Sequence, residues 1–345
     1  MDRAPKSVSA RAIVLGAGAS RGVSYAPPGQ ASRRSGSPLK KPPPIPSPLD
    51  RDFFDLLQRI KPGDHDGPAM RTVIKEVQLL PFEHWQSMER AFYTLQLRAY
   101  LGEKLRGTAT GVDEKIIKDF ARCVQVLLRD AHAMRTCLNH KALFGPLHGD
   151  DTIISFNYDL VPERAIKSVA KRRKVPFGTW MYGLGSDGSK HDLPLMLKLH
   201  GSSNWRMSKA RDSNPISVRT KSWDDLDESP GYRGHRGVGT HFPIFLPFWD
   251  KRIEEEPWLS LWQTAFRRLR SAESLLVWGY SLPLTDLKSR ILFEIGMGDR
   301  AINLCVVDPD PESRRRWREL LPKADFIQYD RIEEFLNSPP MWWRR

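Results

Sequence analysis

The sequence predicts an α/β protein: a doubly wound parallel sheet carrying a mostly helical insertion. Three observations carry this. Short apolar runs of strand length recur at 12–15, 152–156, 195–199, 274–278 and 302–307. Segments of helical period separate several of them, and that alternation marks a parallel sheet. Four of the runs end in a polar or glycine-rich cluster, at 16–20, 157–159, 200–202 and 279–281, and a fifth ends in Asp308. Open α/β sheets hold ligands outside the carboxyl ends of their strands, so parallel strands would gather these clusters on one rim.

The first run sets the theme. Ala12 to Leu15 reads as an apolar strand, and Gly16-Ala17-Gly18 turns tightly into Ser20. Such a turn lets backbone N–H groups approach a phosphate, and it also serves as a plain connection. Residues 26–50 follow, with Pro27-Pro28-Gly29, Arg33-Arg34, Lys40-Lys41 and Pro42-Pro43-Pro44-Ile45-Pro46. Proline this dense excludes helix and central strand. A loop leaving directly from a ligand turn is expected to act as a lid, with a plain linker as the other reading.

A helix opens at Asp50 to Leu57, and apolar residues return at helical spacing from Trp85 to Leu105. Over 113–138, Ile116, Ile117, Phe120, Val124, Leu127, Leu128, Ala131, Met134 and Leu138 make one face. Residues 51–145 are therefore expected to form a helical insertion. After the strand at 152–156 a helix starts near Pro162 and ends in Lys171-Arg172-Arg173-Lys174. Residues 206–241 read as polar loops, 243–246 as a strand, 258–270 as an amphipathic helix, and Phe326-Ile327 as a last edge strand. The division expected is 1–50 (first strand, glycine turn and Pro/Arg loop), 51–145 (insertion), 146–338 (remainder of the sheet domain) and 339–345 (a basic, Trp-rich tail).

Composition narrows the chemistry. The chain has 345 residues, enough for one large or two modest domains, and 40% hydrophobic residues. Its net charge of +13 suits an anionic partner without choosing one. The excess lies in residues 1–50, with eight Lys/Arg against two Asp, and in Arg314-Arg315-Arg316-Trp317-Arg318. Both read first as solvated faces, and direct nucleic-acid binding is left open. Three cysteines, Cys123, Cys137 and Cys305, form no Cys-x-x-Cys pair, so a four-thiolate metal site is impossible. No metal site is expected, and a cytoplasmic setting suits such cysteine usage. No run approaches the ~20 apolar residues of a membrane span.

A dinucleotide oxidoreductase is disfavoured. Gly16 and Gly18 fit its glycine pattern, but Arg21 stands at the third position. The proline-rich loop also replaces the strand and acid that such a fold places about twenty residues on. A Walker phosphate loop is excluded too, since no Gly-Lys-Ser/Thr follows.

Four segments together resemble the sirtuin-like superfamily: Gly16-Ala17-Gly18-Ala19-Ser20, Phe156-Asn157-Tyr158-Asp159, Lys198-Leu199-His200-Gly201-Ser202 and Gly279-Tyr280-Ser281-Leu282-Pro283. Their order and wide spacing match over residues 10–310. The set is most similar to the bacterial sirtuin-like NAD-consuming domains of phage defence, where Asn-Tyr-Asp replaces Gln-Asn-x-Asp of the deacetylases. The zinc-binding cysteines and the Gly-Ile-Pro-x-Phe-Arg segment of deacetylases are missing, which speaks against peptide deacetylation.

The resemblance implies a Rossmann-like fold and a regulated NAD glycohydrolase, with NAD as substrate and no metal. It implies that Asn157 orders water and ribose while His200 acts as base. Gly16, Ala17, Gly18 and Ser20 would cradle the pyrophosphate, and Asp159 would support the ribose. Gly279 and Ser281 would meet the phosphate or ribose, and Asp308 the adenosine end. The chemistry agrees: nicotinamide leaves as a neutral molecule without a general acid, so the site must shelter a ribosyl cation and position a nucleophile. An amide both donates and accepts, and an imidazole takes a proton near neutrality. The structural alternatives are a turn former at Asn157, a helix cap at Asp159, a satisfied histidine at 200, and turn closure at Ser281 and Asp308. The resemblance further implies a homo-oligomer and a separate sensor, such as a helicase-like ATPase or an Argonaute-like subunit, with the basic arms and tail as docking surfaces. Rival functions are a non-catalytic nucleotide-binding scaffold and an NAD-dependent deacylase or ADP-ribosyltransferase.

Overall fold

The computed structural model describes residues 10–22, 45–60, 66–106, 111–132, 136–184, 192–207, 216–218, 254 and 256–344. In chain order its strands are β1 (Arg11–Leu15), β2 (Thr152–Ser155), β3 (Leu195–Lys198), β4 (Trp205–Met207), β5 (Ile216–Val218), β6 (Ser274–Trp278), β7 (Asn303–Val307) and β8 (Asp325–Tyr329). Six of them form one all-parallel sheet in the order β3-β2-β1-β6-β7-β8. β4 and β5 make a separate antiparallel pair within the stretch expected to be loop.

Every residue of β1 and β6 is buried, as parallel strands covered on both faces require. The register pairs Leu15 with both Ser155 and Trp278, Ser155 with Lys198, and Trp278 with Val307. The carboxyl ends therefore finish level along one edge. From β1 the sheet grows outward through β2 and β3, then restarts on the other side through β6, β7 and β8. The order reverses between β1 and β6, which is where such sheets open a crevice.

The helices are α1 (Ala17–Arg21), α2 (Phe53–Arg59), α3 (Gly67–Gln78), α4 (Phe82–Trp85), α5 (Met88–Arg106), α6 (Gly111–His132), α7 (Leu138–Phe144), α8 (Val161–Arg173), α9 (Trp258–Ser271), α10 (Leu287–Met297), α11 (Pro311–Leu320) and α12 (Ile332–Asn337). α8 shows why the sequence starts and stops where it does. Pro162 sits in its first turn, three basic residues meet its carboxyl end, and Lys174 leaves it in a left-handed turn with φ 59°.

Among the described residues, two apolar clusters hold the chain. One surrounds the sheet. The other lies within 45–131, where Phe120 stacks on Phe53 at 5.5 Å and meets Phe92 at 5.0 Å. The single face expected over 113–138 does not run that far. α6 is described as far as His132, and Leu138 opens a separate helix, α7, after extended Cys137 and is exposed.

The tail is anchored at Trp343. Trp343 is buried against Phe335 at 5.1 Å and under the Arg11 guanidinium at 4.8 Å. Arg11 itself is 1% exposed and pairs with buried Asp151 at 2.7 Å. The arginine run on α11 is neutralised locally: Arg315 pairs with Glu312 and Glu319, and Arg314 with Asp330. The expected lid falls mostly outside the described residues, as does the strand expected at 243–246. The lid's last residues are described, and there Ile45 belongs to the second cluster. No described helix is long and apolar enough to cross a membrane.

Candidate functional site at the sheet switch point

The glycine turn is held by protein on one side. Gly16 N–H donates to Trp278 O at 3.1 Å and Gly18 N–H to Gly279 O at 2.9 Å, while Ala19 N–H returns to Gly16 O. A Cβ at Gly16 would lie 2.4 Å from Gly279 O, and one at Gly279 would lie 2.2 Å from Ala19 N. Gly279 has φ +63° as well. The glycines are thus required because the turns after β1 and β6 cross backbone to backbone. The N–H groups of Gly16 and Gly18 have backbone acceptors across this crossing. Ala17 is exposed and faces out of this crossing.

Asn157 locks the turn from the other side. Its Nδ2 donates to Gly16 O at 2.7 Å and to Ser20 Oγ at 2.9 Å. Ser20 in turn donates to Asp159 Oδ2 at 2.6 Å, and Asp159 Oδ1 accepts from Val161 N–H at the start of α8. The Asn157–Ser20–Asp159 bonds join the two motifs, and Val161 N–H ties Asp159 to the start of α8. Both amide hydrogens of Asn157 are committed, so Oδ1 is the amide atom without a hydrogen bond among the described residues. Burial alone would raise the Asp159 carboxyl. His132, Lys198 and the bonds from Ser20 and Val161 outweigh it and hold the group below its ordinary value.

His200 follows β3 and is 2% exposed. Its Nε2 lies 3.1 Å from Asp286 Oδ2. Phe156, at the end of β2, meets the imidazole edge-on at 4.9 Å and stacks on Tyr280 at 4.1 Å. Tyr158 lies beyond it at 6.3 Å. Asn157 and His200, 43 positions apart, therefore sit on adjacent strand ends with Phe156 between the motifs. Behind them Lys198 Nζ reaches Glu163 at 3.0 Å and donates to Asp159 O at 2.6 Å, wholly buried. Burial raises Glu163 above its ordinary value despite that lysine.

The remaining candidates separate. Gly279 and half-buried Ser281 stand on the same edge beside the glycine turn. Asp308 turns to its own chain: Oδ1 accepts from Asp310 N–H and Oδ2 from Ser313 Oγ, at the start of α11. These bonds tie it to the turn before α11. Asp286 and Lys198 were missed as site residues. Asp286 is the N-cap of α10, where its side chain accepts from Ser289 N–H. Burial pushes the Cys123 and Cys305 thiols up, which makes them inert. Among the described residues no group of three or more His, Cys, Asp or Glu could hold a metal ion.

The class defined here is a Rossmann-like α/β protein whose polar residues converge at the switch point of its sheet. No protein-family model matches the chain, and no curated protein matches it. Solved structures do. A triply substituted Sir2 homologue in complex with 2′-O-acetyl ADP ribose matches at 14% identity over 96% of this chain and 92% of that one, with a TM-score of 0.43. A Sir2 structure with a p53 peptide and NAD+ matches at 14% over 95% and 90%, with a TM-score of 0.35. Another Sir2 homologue mutant, with ADP ribose, matches at 13% over 95% and 90%, with a TM-score of 0.39. At these values no residue role passes from those proteins to this chain.

Proposed function

We propose that the chain cleaves NAD+ with water to nicotinamide and ADP-ribose. The observation that carries this is the meeting of Asn157, the glycine turn and His200 on one edge, where the strand order reverses. In the reaction the N-glycosidic bond breaks and its electron pair neutralises the pyridinium nitrogen. Water oxygen bonds to the ribosyl carbon, and His200 takes the proton and passes it to solvent. Asn157 Oδ1 accepts from that water or from a ribose hydroxyl. Ala17, Ser20, Asp159, Gly279 and Ser281 frame the dinucleotide, and Asp308 is left out of the set. The sequence resemblance extends the reading to an NAD-depleting effector of phage defence, oligomeric and released by a separate sensor subunit.

A second reading is a nucleotide-binding scaffold without turnover. Chromatography of nicotinamide and ADP-ribose separates the two. Purified protein, alone and with candidate sensor subunits, releases both products from NAD+, and Asn157→Ala and His200→Ala lower the rate at least about 100-fold, the scale of a lost general base. Full turnover in both variants removes the site, and binding without turnover under every condition leaves the scaffold.

A further inference from the structure

We infer that Asp286 is the positioning residue for His200, fixing the plane of the imidazole and keeping its proton on Nε2. This rests on the reading of His200 as the base. An ionised carboxylate only accepts, so the imidazole nitrogen 3.1 Å from Asp286 Oδ2 carries the hydrogen, and the lone pair of the neutral ring is on Nδ1. The carboxylate is itself fixed. Its Oδ2 also accepts from Tyr280 OH at 2.8 Å and Ser289 Oγ at 2.6 Å, and Oδ1 accepts from Ser289 N–H at 3.4 Å. Asp286 is 1% exposed. Tyr280 stacks on Phe156, which meets His200 edge-on, so a ring of contacts closes through the ends of β2, β3 and β6. Base, orienter and the groups holding the orienter are then all present, which is the arrangement that gives an imidazole one tautomer and a higher basicity. A plain helix cap needs none of the contacts on Oδ2 from His200 and Tyr280.

Other ionisable groups face the same place. Tyr158 is held well above its ordinary value by burial first, then by the charges of Glu89, Asp286 and Asp50. Glu89, on α5, also accepts from Thr285 at 3.0 Å. These groups stay constant in the variants that test the pair, so a change in His200 titration reports Asp286.

The test is NMR titration of the His200 imidazole in the full chain, alongside NAD+ kinetics. Asp286→Asn keeps the cap on α10, since Asn caps as Asp does, and removes the charge. The His200 pKa falls in this variant, kcat drops about 10- to 100-fold with KM for NAD+ held, and the acidic limb of kcat/KM moves to lower pH. Tyr280→Phe keeps the ring on Phe156 but removes a donor to the carboxylate, and the His200 pKa rises. Opposite shifts from two variants are not produced by loosened packing. An unchanged His200 titration in Asp286→Asn, or shifts of the same sign in both, overturns the inference. If Asp286→Asn does not fold, Tyr280→Phe alone decides by the sign of its shift. Absence of NAD+ cleavage by the unaltered protein overturns the functional reading instead, and the titration still decides whether Asp286 governs His200.

Discussion

At the scale of single residues, the site is built from side chains that hold one another before they hold anything else. Asn157 is the clearest case. Removing its amide in Asn157→Ala leaves Gly16 O and Ser20 Oγ without that donor in a buried setting, at a cost of about 1–3 kcal/mol. Urea unfolding reads this separately from activity. A second residue contributes to the acid sensitivity of the fold. His140 is wholly buried, lies 4.4 Å from Trp278, and finds no hydrogen-bond partner for either ring nitrogen among the described residues. Burial lowers its pKa from 6.5 to about 3. The unfolded chain then binds a proton that the folded chain refuses across that window. Stability is full above pH 6.5 and declines as pH falls toward 3, by about 1.4 kcal/mol for each pH unit. His140→Phe removes this contribution, and its urea midpoint falls less between pH 6.5 and about 4 than that of the unaltered protein. The sequence announces neither fact. It shows an Asn after a strand and a His in a helix, while the acceptors of the Asn157 amide and the Trp278 ring beside His140 come from more than a hundred positions away.

Among elements, the decisive contact is the crossing of the turns after β1 and β6. Its legibility was partial, and instructively so. Gly16, Gly18 and Gly279 stand out in the sequence, but a glycine needed for a ligand and one needed for a crossing backbone look alike there. The structure separates them through the Cβ distances. Gly279→Ala therefore forces a Cβ onto Ala19 N and a residue with φ +63° to carry a side chain. The expected loss is at least about 2 kcal/mol, with the two turns pushed apart, read as a lowered thermal midpoint. The same scale explains Asp308. As the group that receives Asp310 N–H and Ser313 Oγ, it braces the turn before α11, and Asp308→Ala costs about 1 kcal/mol while NAD+ affinity stays unchanged. Asp286 could not be assigned from sequence for the converse reason. Its cap role is visible three residues from Ser289, while His200 is 86 positions away.

At the scale of the whole molecule, the sheet was the most legible part, because strands buried on both faces write themselves as apolar runs. The helical insertion was legible as helix but not as a body with its own core. That core is centred on Phe120, buried completely among Phe53, Phe54 and Phe92. It touches the site through Tyr158, which packs against the insertion cluster while lying between Asn157 and Asp159 in sequence. The contact of Glu89 with Thr285 joins the two parts again, one residue from Asp286. A separate core joined at few points is expected to open before the sheet does. Phe120→Ala removes a fully buried ring, at about 3–5 kcal/mol. Hydrogen exchange in this variant should accelerate across α2, α3, α5 and α6 while β1, β6 and β7 keep their protection. Because Tyr158 belongs to both parts, exchange at 156–159 should rise with the insertion and not with the sheet. Uniform acceleration through β1 and β7 would instead mean that the two clusters unfold as one, and that the insertion supports the sheet as much as it covers the site.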